Sequence, residues 1–179
     1  MVPAASLLIL GGARSGKSAY AVERARALGG RTAFVATAEP LDPEMAKRIA
    51  RHRRDRPPDW STIEAPLDLT GALEALDGKA DTVVVDCLTL WVSNRLGRDP
   101  DLPEAGLLAE AGRFAVRLAR PPYALIVVSN EVGAGVHPET AVGRRFRDAL
   151  GLVNQTLART AHEVVLLVAG CPVRLKGPR

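Results

Sequence analysis

Residues 5–18 read Ala-Ser-Leu-Leu-Ile-Leu-Gly-Gly-Ala-Arg-Ser-Gly-Lys-Ser, and this stretch decides the fold. Ala5 to Leu10 is a short continuous apolar run, the pattern of a strand buried on both faces of a parallel sheet. Gly11, Gly12, Ala13, Arg14, Ser15, Gly16, Lys17 and Ser18 then fit G-x-x-x-x-G-K-[ST], between a strand and a helix as that motif requires. The glycines let backbone N–H groups wrap a polyphosphate. The helix that follows adds the positive end of its dipole. Lys17 is placed to reach the β- and γ-phosphates, and Ser18 to hold Mg²⁺.

Outward from this turn, strand and helix signals alternate. Ser18–Leu28 is helical in pattern, and Gly29-Gly30 ends it. Thr32–Thr37 reads as a second strand. Asp42-Pro43 has the form of an N-cap followed by proline at the first helical position, and that helix runs to about Arg54, before Pro57-Pro58. A weak strand at Ser61–Glu64 and a short helix at Leu69–Leu76 precede the clearest strand, Thr82–Asp86. Leu107, Ala111, Phe114 and Leu118 recur at helical spacing. Ala124–Ser129 reads as another buried strand. Val142, Phe146, Leu150, Val153 and Leu157 mark a long amphipathic helix. Val164–Ala169 is a last full strand, and Val173–Lys176 adds a short edge. Strands separated by helices predict an α/β fold, a mostly parallel sheet with helices on both faces.

The chain has 179 residues, enough for one domain with a real core and too few for two. It shows no internal repeat and no linker, so residues 1–179 are expected to form a single P-loop nucleotide-binding catalytic domain. Hydrophobic residues at 47% and charged residues at 25% exclude disorder and fibrous classes. Of 24 basic residues 20 are arginine, against 20 acidic residues. The small positive excess suits an anionic ligand, and it equally suits a compositional bias toward arginine. Cys87 and Cys171 make no disulfide framework, and each reads as a small buried hydrophobe. The amino terminus lacks a basic region and a cleavage site, and no apolar run approaches the roughly 18 residues of a membrane span. A cytoplasmic protein with no membrane partner is expected. Aromatics at 4%, with no aromatic-studded basic groove, argue against nucleic acid.

A P-loop calls for a carboxylate at the end of a neighbouring strand, and Asp86 supplies one. It is a candidate Mg²⁺ ligand or, alternatively, the cap of a helix starting near Leu88. Collecting the strand ends predicts that Thr37, Asp86 and Ser129-Asn130-Glu131 line one crevice with the P-loop. His137 falls in an extended loop before Pro138, and His162 near the end of a helix. His52 differs from both. It shares a helix face with Met45 and Ile49 and sits among Arg48, Arg51, Arg53, Arg54 and Arg56. Clustered positive charge keeps an imidazole neutral and nucleophilic. From the residues alone, the same histidine is equally well packed on a half-apolar face beneath a solvated basic run.

Several ordered motifs then give a resemblance over essentially the whole chain. GGARSGKS at 11–18, VATAEPLDPEMAKRIARHRRDRPPDW at 35–60, DCLTLWVSNRL at 86–96, SNEVGAGVHPET at 129–140 and GCPVRLK at 170–176 resemble the bifunctional adenosylcobinamide kinase/adenosylcobinamide-phosphate guanylyltransferases. The resemblance implies a RecA-like P-loop fold and a homotrimer. It implies phosphorylation of the corrinoid adenosylcobinamide with ATP or GTP, then transfer of GMP from GTP through a guanylylated histidine, giving adenosyl-GDP-cobinamide and pyrophosphate. By position that histidine is His52, with Lys17 the other catalytic residue. Nucleotide contacts carry over to Gly11–Ser18, to Ala36, Thr37 and Ala38, to Arg53, Arg54, Asp55 and Arg56, and to Glu64 and Asp86. Ser18 and Asp86 are the implied Mg²⁺ ligands. Two other classes share a P-loop. A nucleic-acid motor conflicts with the low aromatic content. An NTP-gated assembly module has no use for a histidine inside an arginine cluster.

Overall fold

The structure is a computed structural model that describes residues 5–54 and 56–177. In chain order the elements are β1 (Ser6–Gly11), α1 (Lys17–Leu28), β2 (Thr32–Ala36), α2 (Pro43–Arg54), β3 (Ser61–Glu64), α3 (Leu69–Glu74), β4 (Thr82–Asp86), α4 (Leu88–Arg98), α5 (Glu104–Ala119), β5 (Ala124–Val128), α6 (Ala141–Thr160), β6 (Glu163–Val168) and β7 (Cys171–Lys176). The strands form one sheet in the order β3-β2-β4-β5-β1-β6-β7. All neighbours are parallel except β6 and β7, which pair as an antiparallel hairpin.

The apolar run of β1 is explained by its central place. Leu7 and Ile9 point to the face covered by Ala21 and Ala25 of α1. Leu8 and Leu10 point to the opposite face, toward Leu107, Phe114, Leu150 and Leu157 of α5 and α6. With both faces covered, alternation disappears and a continuous hydrophobic segment remains. Parallel pairing brings the carboxyl ends of β1, β2, β4 and β5 to one edge of the sheet. Gly11, Ala36, Asp86 and the chain after Val128 therefore meet there.

Local chemistry sets the helix limits. Asp42 accepts the Met45 N–H at 2.7 Å and caps α2, while Asp68 accepts the Gly71 N–H at 2.9 Å and caps α3. Gly29, at φ 69°, closes α1 through its N–H to the Ala25 and Arg26 carbonyls. Among the described residues no helix is long and apolar enough to cross a membrane.

Three expectations are corrected. The short helix stops at Glu74, because the chain turns through Gly78 at φ 71°; Leu76 still reaches the core from that turn. Val142 is 79% exposed, although it lies on the stripe of Leu150 and Val153. Phe146 is half-buried and Leu150 fully buried, so the first turn of α6 projects beyond the core it packs against. Cys171 is exposed, because β7 is an edge strand whose six residues all face solvent.

The graded burial along α6 is testable. Leu150→Ala is expected to cost about 2–5 kcal/mol of unfolding free energy, the range for an emptied leucine site. Val142→Ala should stay within about 0.5 kcal/mol of the parent. Urea denaturation of both variants checks the assignment.

Candidate active site

The turn after β1 is built around positions where side chains do not fit. A Cβ on Gly11 would lie 2.6 Å from both the Leu167 carbonyl oxygen and the Ser15 hydroxyl oxygen. Arg14 at φ 56° and Gly16 at φ 95° take left-handed conformations and bend the loop back to the start of α1. Two neighbours hold the loop from outside. The Glu131 N–H donates to the Gly11 carbonyl at 3.0 Å. Gly170, in the turn of the β6–β7 hairpin, donates its N–H to the Ser15 carbonyl, also at 3.0 Å. Gly12, Ala13 and Arg14 face solvent, and Ser18 is half-buried at the head of α1.

Lys17 is only 7% exposed. Its Nζ donates to the Gly12 carbonyl at 2.6 Å and lies 3.4 Å from the Ser15 hydroxyl. Burial lowers its pKa; Cys87 and Asp86 act in the opposite direction, and Arg48 adds to the lowering. Asp86 thus attracts the ammonium toward the end of β4, while Arg48 of α2 repels it.

A narrow cleft opens over the ends of β2 and β4. Ala36, Ala38, Glu64 and Asp86 line it from the sheet side, and Met45, Ile49, His52, Arg53 and Arg56 from α2 and its end. α2 buries no residue completely, and Met45, Ile49 and His52 are half-buried along one stripe. The helix stands off the sheet and caps the cleft of its own chain. Burial lowers the His52 pKa, Asp86 opposes the shift, and Arg48, Arg56 and Arg51 reinforce it. Among the described residues of α2 no carboxylate lies one turn from His52; the opposing negative charge is that of Asp86, at the end of β4. Arg53 is ion-paired with Glu64. Arg56 stacks on Phe34, with its guanidinium carbon 3.4 Å from the ring centre. Burial and Asp86 push the Cys87 thiol up to about 12, so it stays protonated beside this charge.

Thr37 is fully buried, and its hydroxyl is occupied. It donates to the Cys87 carbonyl at 2.7 Å and accepts the Cys87 N–H at 2.8 Å. Its side chain fixes the turn after Asp86, and Ala36 and Ala38 line the cleft on either side of it. Arg54 is exposed outside the cleft, and Asp55 lies outside the described residues. The single crevice expected of the strand ends divides in two. Ser129 is buried and donates to Asn154 at 2.7 Å, while Glu131 lines a separate groove against α6. The structure adds Cys87 and Leu90 to the lining of the His52 cleft and Asn94 to the support of its sheet side. Asn94 donates to the Thr37 and Pro66 carbonyls at 2.8 and 3.1 Å. A lone asparagine inside a helix gives no sequence signal of that role. His162, an exposed residue, accepts the Ser6 N–H at 3.2 Å at the start of β1, and His137 lies 2.7 Å from Arg147.

Residues 7–175 match the family described as cobinamide kinase / cobinamide phosphate guanyltransferase. The chain belongs to this family. It is 42% identical over 170 residues to the bifunctional adenosylcobalamin biosynthesis protein CobP of Pseudomonas aeruginosa, covering 95% of this chain and 96% of the relative. It is 38% identical over 180 residues to the bifunctional adenosylcobalamin biosynthesis protein CobU of Escherichia coli, covering 95% and 99%. Among solved structures it is similar to the RadB recombinase, at TM-score 0.55, 18% identity and coverage of 92% of this chain and 74% of that one. A type III secretion ATPase gives TM-score 0.57 at 11% identity, with coverage of 92% and 51%. These likenesses establish the RecA-like P-loop fold, and the family establishes an enzyme of the kinase and guanylyltransferase class.

The cleft has about 50 Å³ of room, well below the roughly 300–1,000 Å³ of pockets that enclose a whole small ligand. α2 is the wall held by the least buried surface and so the one that moves at least cost. Its amides are expected to exchange faster than those of α5 and α6 in the free protein and to slow when GTP is added. Hydrogen-exchange mass spectrometry measures both; slow exchange of α2 in the free protein would contradict this account.

Proposed function

We propose that this chain phosphorylates the hydroxyl of adenosylcobinamide with ATP or GTP, and then passes GMP from GTP through His52 to the new phosphate, releasing pyrophosphate. The observation that carries the histidine step is the position of His52, kept toward its neutral form by burial and arginines, across one cleft from Asp86, the carboxylate whose charge also acts on Lys17. In the kinase step the acceptor oxygen attacks the γ-phosphorus, and the nucleoside diphosphate leaves with the electron pair of the broken P–O bond. Lys17 and the amides of residues 11–18 stabilise the charge spreading over the transferred group. In the guanylyl step an imidazole nitrogen of His52 attacks the α-phosphorus and pyrophosphate departs. A phosphate oxygen of the acceptor then breaks the P–N bond and restores His52, so one difficult displacement becomes two easier ones. Arg53 and Arg56 sit where they can hold the triphosphate or the departing pyrophosphate.

Mg²⁺ would be held by the Ser18 hydroxyl and the Asp86 carboxylate, and it would neutralise charge between the phosphates. One hydroxyl and one carboxylate fit an ion that keeps several waters and shares substrate oxygens. Among the described residues no cluster of three or more His, Cys, Asp or Glu forms a dedicated cage. The homotrimer and a cytoplasmic location belong to the same proposal. The exposed edge strand β7, with Val173 and Leu175 beside Val168 of β6, offers an apolar border that a closed cyclic assembly would cover.

Incubation with α-labelled GTP tests the histidine step. Label should appear on His52 as an acid-labile, base-stable adduct, and His52→Ala should abolish it while cobinamide phosphorylation persists. GMP found on His137 or His162 would overturn the assignment. Because the His52 pKa is lowered, the labelling rate should be flat above about pH 6.5 and fall only at lower pH, as the imidazole takes a proton.

Lys17→Ala should depress both activities, by about 10²–10³ each, since it removes a donor aimed at developing phosphate charge. A kinase rate within twofold of the parent would contradict a shared triphosphate site.

A further inference from the structure

We propose that the groove between the chain after β5 and the side of α6 holds the alcohol-bearing acceptor, and that Glu131 takes the proton of its hydroxyl in the kinase step. This rests on the kinase reading above, which leaves both the acceptor site and the base unassigned.

Position carries the first part. The Glu131 N–H is bonded to the Gly11 carbonyl, so the groove opens directly beside the first residue of the phosphate loop. It lies over the ends of β5 and β1, whereas the His52 cleft lies over β2 and β4, and the two share no lining residue. An acceptor there approaches the loop without competing with the nucleotide for the arginines of α2. Size carries the second part. The groove holds about 600 Å³, within the range of pockets that enclose a small ligand and about an order of magnitude above the other cleft. Its surface is mixed: Leu10, Leu152 and Ala158 give an apolar floor, while Glu131, Arg147 and Gln155 stand around it. That combination suits one edge and one arm of a large, amide-fringed ligand.

Glu131 is the carboxylate nearest in chain to the loop contact, and it is held in place. One of its oxygens accepts the Gly133 N–H at 2.8 Å, which leaves the other to receive a proton. The wall behind it is fixed as well. Asn154 accepts from the Ser129 hydroxyl at 2.7 Å and donates to the Asn130 carbonyl at 3.0 Å, tying the chain just before Glu131 to α6. The step balances without a further reagent. The acceptor oxygen bonds to the γ-phosphorus, its proton passes to Glu131, and the β–γ bridging bond breaks with its electron pair going to the nucleoside diphosphate. Arg147 is ion-paired with Asp148, to which its Nε–H donates at 2.9 Å, lies 2.7 Å from His137 through Nη1, and lines the groove as a fixed positive charge beside the phosphoester that forms.

Steady-state kinase assays with saturating ATP and varied cobinamide test this. Glu131→Gln should lower kcat by about 10²–10³-fold with the cobinamide KM little changed, as loss of a general base does. Gln155→Trp, an exposed helical position that fills the groove, should raise the cobinamide KM at least about tenfold with kcat little changed. A Glu131→Gln kcat within threefold of the parent overturns the base, and a Gln155→Trp KM equal to the parent's overturns the groove. The same preparations are labelled with α-labelled GTP. A parent chain that phosphorylates cobinamide but takes no GMP removes the His52 reading and leaves the groove result standing. A parent chain with no kinase turnover removes the kinase reading and the groove together.

Discussion

Gly11 ends β1 at a point where a Cβ would meet the Leu167 carbonyl and the Ser15 hydroxyl at 2.6 Å, and much of the site follows from that close approach. Because the backbone can come so near β6, the β6–β7 hairpin turn reaches the Ser15 carbonyl through Gly170. Because the Gly11 carbonyl is turned outward, it takes the Glu131 N–H and draws the chain after β5 against the loop. The phosphate cradle is thus braced by two segments more than a hundred residues away in sequence. Donors fixed before the reaction need no reorganisation when charge develops on the transferred group.

Around that fixed centre the chain places walls of different firmness. The Thr37 hydroxyl locks the turn after Asp86 by serving both polar groups of the Cys87 backbone, and Asn94 holds the Thr37 and Pro66 carbonyls. The wall at the β5 end is tied by Ser129 and Asn154. α2 is the exception: no residue of it is fully buried, and it presents His52 from a half-apolar stripe. In the proposed role His52 would have to reach an α-phosphorus and then meet a second, larger substrate, which suits the element with the least buried surface. Burial and the arginines keep its imidazole toward the neutral form, and Asp86 limits how far that shift goes.

The α/β class and the motif region were legible from the sequence alone because their causes are local. A continuous apolar run, a glycine-rich turn and a lysine at the head of a helix are written in neighbouring residues, as is the cap at Asp42. The stripe of Met45, Ile49 and His52 is also readable, since helical spacing alone puts those three on one face. Burial was legible only where a residue lies inside both packed layers. Val142 and Cys171 carry the right side chains for a core, and they stand where the core has ended.

What the sequence by itself determined is therefore the order of the elements, the phosphate loop and the set of chemically capable residues. Tertiary structure alone decided which of them face one another. β5 pairs directly with β4, with Val128 opposite Asp86, but the chain beyond it is drawn toward Gly11 and α6 through Glu131 and Asn154; the expected single crevice becomes a cleft with His52 and a groove with Glu131. Tertiary structure also decided that the Thr37 hydroxyl serves a backbone turn and that the charge opposing the arginines at His52 comes from β4. The physical reason is the same in each case: these relations join residues far apart in sequence, and crossover connections and sheet order, which local patterns do not encode, bring them together.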